Sequence, residues 1–181
     1  DPYEIVFFGL IRPNKGLEQF LKLASLANRN RPYLFRVIGA VPEDAKQYYR
    51  EMLERSIALN NVYWETELDE KEVAQRLSQA GFAYLWYPDG ASERRTTLLA
   101  AMSNGTVVIT QKGPQTPIGL EPAVRFAETP KQALELIDSM VCTPQEMQRL
   151  KSLALEWVRR FSWHNIAFQH LKLYRRILKE C

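Results

Sequence analysis

Two short stretches carry the side chains with chemistry to offer. The first is Arg12-Pro13-Asn14-Lys15-Gly16, two cations held beside a proline and a glycine. The second is Asp89-Gly90-Ala91-Ser92-Glu93-Arg94-Arg95, followed by Thr96. There, glycine and small side chains let backbone approach a ligand closely, and two guanidinium groups follow at once. Ser92 is a natural helix cap with Glu93 in its first turn, whereas Arg94 and Arg95 are ill suited to the positive end of a helix dipole. They make sense when an anion binds, because free backbone N–H groups and guanidinium forks then both point at it. The chemistry is recognition of phosphate oxygens. A plainer reading, a solvated face that carries two arginines, stays open on residue types alone.

The surrounding elements must bring these stretches together. The second is framed by Phe82–Tyr87 and Val107–Thr110, apolar runs of the kind that fill strands buried on both faces. Between them a helix runs through Leu98, Leu99, Ala101 and Met102 to a stop signal at Asn104-Gly105. The first stretch follows a strand over residues 5–10 and precedes a helix from Leu17, with Phe20, Leu21, Ala24 and Ala27 at helical spacing and an end at Arg29–Pro32. A strand over 33–39, a helix opened by Pro42-Glu43-Asp44 and running to Leu59, a strand Val62–Thr66 and a helix Glu70–Ala80 capped by Asp69 come next. Beyond Gly113 lie a Pro-rich loop, a short strand Val124–Ala127 and a helix from Thr129-Pro130 to Val141. Thr143 and Glu146 form a capping pair for the next helix, which reaches Phe161. Ser162 caps the last helix, whose Trp163 is expected to pack against the core.

Strands and helices alternate, which gives a Rossmann-like three-layer αβα fold with a six-stranded parallel sheet of order 3-2-1-4-5-6. In such a sheet the ligand sits at the carboxyl ends of strands 1 and 4, where the order reverses. The two cationic loops leave those ends, so they converge.

Composition bounds the function. The 181 residues, 46% hydrophobic and 25% charged, are read as a single globular domain over 1–181. A net charge of +3 suits an anionic small molecule but lacks the dense basic patch of a nucleic-acid binder. Cys142 and Cys181 have no framework spacing, and no signal peptide or long apolar run is visible; a cytoplasmic setting is expected. His164 and His170 read as structural, and no metal-ligand spacing stands out. A chain that meets a core strand within its first residues is expected to be a piece of something longer.

FFGLIRPNKGLEQFL, the strand end RVIG, PDGASERR, LLAAMSNGTVVIT and RFSWHNIAFQHLKLY together resemble, in order and over essentially the whole chain, the C-terminal donor-binding half of GT-B glycosyltransferases of the group-1, family-4 type. The resemblance implies a retaining, metal-independent sugar transfer from a UDP- or GDP-type nucleotide-sugar, with no cofactor. It implies that Arg12, Lys15 and Glu93 act in catalysis. The donor diphosphate is then bound by Arg12, Lys15, Gly90, Ala91, Ser92, Arg94, Arg95 and Thr96, and the nucleoside lies near Gly39, Glu65 and Glu67. Two glutamates usual in the family fall on Ser92 and Ala100, leaving Glu93, one position late, to take the sugar or ribose. The implied acceptor is a glycan or lipid-linked molecule held by an N-terminal domain outside this chain, with peripheral membrane association of the full-length protein and an inactive isolated fragment.

The missing glutamates keep a second reading open: a non-catalytic relative that binds a nucleotide or a protein partner. Other nucleotide-binding α/β domains fit less well. GLIRPNKG does not supply the Gly-x-Gly-x-x-Gly of a dinucleotide site, and Lys15-Gly16 reverses the order a P-loop needs.

Overall fold

A computed structural model describes residues 1–27 and 31–180. Six strands, β1 (Glu4–Phe8), β2 (Leu34–Ile38), β3 (Val62–Glu65), β4 (Phe82–Leu85), β5 (Val107–Thr110) and β6 (Arg125–Phe126), form one sheet. Its order is β3-β2-β1-β4-β5-β6 and every pairing is parallel, as the alternation of elements predicts. The order reverses between β1 and β4, which pair through Ile5 with Phe82 and Val6 with Ala83.

Helices cover both faces. Ile5 and Phe7 pack with α1 (Leu17–Ala27), α2 (Lys46–Ser56) and α5 (Pro130–Val141), and Val6 packs on the other side with α3 (Glu70–Gln79) and α4 (Thr96–Ser103). This is the period-two alternation of a strand buried on both sides. Helix α6 (Pro144–Arg159) closes the β6 edge, giving Met147 and Leu150 to the first core and Ala154 and Trp157 to the second.

Most boundaries sit within a residue or two of the sequence reading. The strands are shorter at their carboxyl ends, because the chain there turns out of the sheet to build the loops. The second helix starts as a 3₁₀ turn (Glu43–Ala45) and ends at Ser56, and the end of α1 expected near Arg29 falls partly outside the described residues. Asp69 and Glu72 make the reciprocal capping box of α3, each side chain accepting the other's backbone N–H at 2.9 Å. Thr143 does not cap α6: its hydroxyl donates to the Ser139 carbonyl at 2.6 Å, and Glu146 turns instead to Arg125 and Arg149.

The last helix, α7 (Trp163–Glu180), is started by the Ser162 hydroxyl, which accepts from the Asn165 amide at 3.3 Å. Trp163 does not pack into the core; it is 86% exposed, and Phe168, Leu171 and Tyr174 on the same helix are each about half exposed. The buried tryptophan is Trp157, 9% exposed and stacked under Arg160 at 4.0 Å. Among the described residues no helix is long and apolar enough to cross a membrane.

Candidate anion and nucleotide site

Lys15 leaves the loop after β1, and Arg94 and Arg95 leave the loop after β4. Because β1 and β4 are neighbours, these side chains, with Thr96 and Thr97, line one cleft of about 180 Å³ at the carboxyl ends of the strands. Among the described residues no carboxylate lines it. The outer, larger hollows mix charges of both signs: Lys112 with Glu128 and Glu135 in one, Lys46 and Arg50 with Glu67 in a second, Arg160 with Glu156 in a third. An anion is therefore favoured in the small cleft, since charge sign outweighs volume where a ligand must be desolvated.

Helix α4 points its start at the same place. Its first turn carries no side-chain cap: Arg95 occupies the cap position with extended backbone and makes no capping hydrogen bond. The uncapped N–H groups and the positive dipole end thus face the cleft. Sequence reasoning capped this helix at Ser92, three residues early. Ser92 is buried and its carbonyl accepts from the Arg95 amide at 3.1 Å, making a turn ahead of the helix. Arg94 and Arg95 accordingly precede the first helical turn rather than lying within it.

The cations differ in freedom. Arg95 donates to Asp89 and stacks over the Tyr87 ring at 4.8 Å, so its charge is compensated. Lys15 and Arg94 make no ion pair or hydrogen bond among the described residues. The cleft therefore offers two uncompensated positive charges, matching the two negative charges of a diphosphate diester. Beneath them the Tyr87 and Thr97 hydroxyls share a hydrogen bond of 2.8 Å. Burial pushes the Tyr87 phenol up to about 12, against the opposing pull of Thr97 and Arg95, so it stays protonated and is no base near neutral pH. Sequence reading passed over Tyr87 and Thr97, because one closes an apolar run and the other follows Thr96 without a motif.

A second, mostly apolar lobe of about 320 Å³ adjoins the first. The two share Phe8, Gly9, Leu10 and Thr97; Ile38, Gly39, Leu68 and Val73 complete the second. Gly39 is required by sheet packing: a Cβ there would fall 1.8 Å from the Gly9 carbonyl oxygen. The lobe runs on past Ala40 and Thr66 into the outer hollow that Glu67 lines with Tyr49 and Arg50.

The other residues singled out from sequence lie elsewhere. Arg12 does not line the cleft; its Nη2 donates to Asp44 Oδ2 at 3.1 Å. Glu93 is exposed and also stands outside the lining. The close approach that Gly90 permits is to Gly113, and the buried Ala91 ties its amide to the Gln111 carbonyl at 2.8 Å. Glu65 is locked between two guanidinium groups: Arg36 Nη1 donates to Oε1 at 2.6 Å and Arg76 Nε to Oε2 at 2.8 Å. Arg36 also holds Glu4 at 2.7 Å, so this half-buried network ties β1, β2, β3 and α3 together. Among the described residues no group of three or more His, Cys, Asp or Glu side chains is placed to hold a metal ion.

No protein-family model and no curated protein matches the chain. Solved structures do. Anabaena HepE, solved with UDP and glucose, superposes with a TM-score of 0.79 at 16% identity over 96% of this chain and 48% of its own. The C-terminal domain of a group 1 glycosyl transferase, LpcC of Francisella tularensis, gives 0.72 at 17% identity over 87% of this chain and 84% of its own. Sucrose-phosphate synthase of Thermosynechococcus elongatus gives 0.72 at 18% identity over 98% of this chain and 46% of its own. The chain thus spans about half the length of HepE and of the synthase. With its six parallel strands in the order β3-β2-β1-β4-β5-β6, it has the fold of the carboxy-terminal half of a GT-B glycosyltransferase.

Proposed function

We propose that this chain binds a nucleotide-sugar and forms the donor side of a glycosyltransferase. The observation that carries the reading is the pair of uncompensated cations, Lys15 and Arg94, at the uncapped start of α4 where the strand order reverses. Support comes from the shared fold with HepE, which is solved with UDP and with UDP-glucose. The diphosphate lies against Lys15, Arg94 and the first turn of α4, and the nucleoside runs into the apolar lobe beside Ile38 and Leu68.

In sugar transfer, the bond from the anomeric carbon to the β-phosphate oxygen breaks and its electron pair goes to the departing phosphate. The anomeric carbon then bonds to an acceptor hydroxyl, whose proton leaves with the diphosphate. Lys15, Arg94 and the α4 amides are fixed where that negative charge grows, which is the arrangement that lowers such a barrier. The proposed transfer is of a hexose, with retention and no metal, to a glycan or lipid-linked acceptor held by a second domain. Peripheral membrane association and a cytoplasmic setting belong to the same proposal for the whole protein. The catalytic roles of Arg12 and Glu93 enter only through the family resemblance, and each has to move to reach the cleft.

A second reading is favoured by one observation: no carboxylate lines the cleft, and Ser92 and Ala100 stand where the family carries glutamates. Under it the chain binds nucleotide without transfer. Calorimetric titration with UDP, GDP, ADP and NAD tests binding, with UDP or GDP expected to bind and Lys15→Ala to weaken them. Unchanged affinity in Lys15→Ala and Arg94→Ala would place the ligand elsewhere. Acceptor-dependent release of nucleoside diphosphate by the whole protein separates transfer from binding alone.

A further inference from the structure

The pentose of a nucleotide bound as above has a fixed place. The phosphate lobe and the apolar lobe meet over Phe8, Gly9, Leu10 and Thr97, so the ring joining base to phosphate lies on those four residues. A site that reads ribose normally sets a carboxylate there to accept from the 2′-hydroxyl. Among the described residues none lines either lobe.

The neighbouring acids are committed or remote. Both Glu65 oxygens are held by Arg36 and Arg76, Asp44 takes Arg12, and Asp89 takes Arg95. Glu67 stands in the outer hollow beyond Thr66, on the side of the base rather than the pentose.

The remaining polar groups under the ring are uncharged: the backbone of Gly9, the uncapped first-turn amide of Thr97 and the Thr97 hydroxyl. The Gly9 amide donates to the Ile38 carbonyl at 3.1 Å, and the Gly9 carbonyl oxygen is covered by Gly39. The Thr97 hydroxyl shares a hydrogen bond of 2.8 Å with that of Tyr87 and keeps a free direction, which offers a neutral partner and not a charged one. Phe8 and Leu10 add only hydrocarbon, so no charged acceptor in either lobe favours a hydroxyl over a methylene at the 2′ position.

We propose that this site does not read the 2′-hydroxyl, so that 2′-deoxyribonucleoside diphosphates, and sugars carried on them, are ligands on the same footing as their ribose counterparts. The inference rests on the donor-site reading.

UDP and dUDP differ only at that hydroxyl, and titrating the 181-residue chain with each is the test. Affinities within about threefold of each other are expected, since a hydroxyl read by a charged acceptor is worth about tenfold or more. Lys15→Ala is expected to weaken both by the same factor. UDP binding at least about tenfold tighter than dUDP, with Lys15 still required, overturns this inference alone. Binding of neither nucleotide, or binding indifferent to Lys15→Ala, overturns the donor-site reading and this inference with it.

Discussion

Gly90 and Gly113 lie face to face: a Cβ on Gly90 would stand 2.4 Å from the Gly113 nitrogen, and one on Gly113 2.1 Å from the Asp89 carbonyl oxygen. Gly90 also has φ of +84°, where side chains are strained. The contact fixes the loop that presents Arg94 to the cleft. Gly90→Ala is expected to cost about 1–3 kcal/mol of stability, from positive φ plus backbone displacement, and to weaken nucleotide binding. A urea midpoint equal to that of the parent would show that the loop yields freely.

Arg12, Lys15 and Arg94 are expected to rank by their partners. Arg94→Ala and Lys15→Ala each remove a free charge and should cost about 1.5–3 kcal/mol in diphosphate binding, the usual range for charged hydrogen bonds. Arg12→Ala breaks a surface pair with Asp44 and should change binding by less than about threefold. Calorimetry on the three variants decides it. A larger loss from Arg12→Ala than from Arg94→Ala would mean that Arg12 leaves Asp44 for the ligand.

The tryptophans separate in the same way. Trp157→Ala empties a packed position and should lower stability by about 3–5 kcal/mol. Trp163→Ala, at a position 86% exposed, should leave the Tm within about 1 °C. Thermal melts followed by circular dichroism show the contrast. An equal fall in both would mean that Trp163 is buried in solution.

These cases show what the chain's order of residues makes legible. Strand order, the Asp69 cap and the convergence of the loops after β1 and β4 follow from alternation and local spacing, which a single sequence displays. Glu65 was invisible as a structural ion-pair partner because Arg36 lies 29 positions away in sequence and meets it only through strand pairing. Trp163 and Trp157 both sit at helical spacing, and spacing names a face without saying whether anything covers it. Ser92 looks like a cap by type. Its displacement from the helix start reflects the Ala91–Gln111 backbone tie and the hold of Asp89 and Tyr87 on Arg95, all tertiary.

Acid should loosen the β6 edge. Hydrogen bonds from Arg149, joined by the attraction of Arg149 and Arg125, hold the Glu146 carboxyl down at about 2, against its usual 4.5. The unfolded chain therefore binds the proton more readily, and the stability this carboxylate contributes is present above about pH 4.5 and lost as pH falls toward 2. Asp138 adds in the same direction: burial pushes it up, but hydrogen bonds from Arg31 and Tyr33 outweigh that and leave it lowered. Glu146→Gln should flatten the fall in urea midpoint across this window. An unchanged slope would assign the acid sensitivity to other carboxylates.

The central claim is a place: a diphosphate between Lys15 and Arg94 at the start of α4. A crystal structure of the chain with UDP-glucose tests it most directly. Both phosphates are expected within hydrogen-bond distance of the Lys15 Nζ, the Arg94 guanidinium and the first amides of α4, with the base in the lobe beside Ile38 and Leu68. Phosphate density instead in the hollow beside Lys112, or beside Arg160, with the Lys15–Arg94 cleft empty, would contradict it.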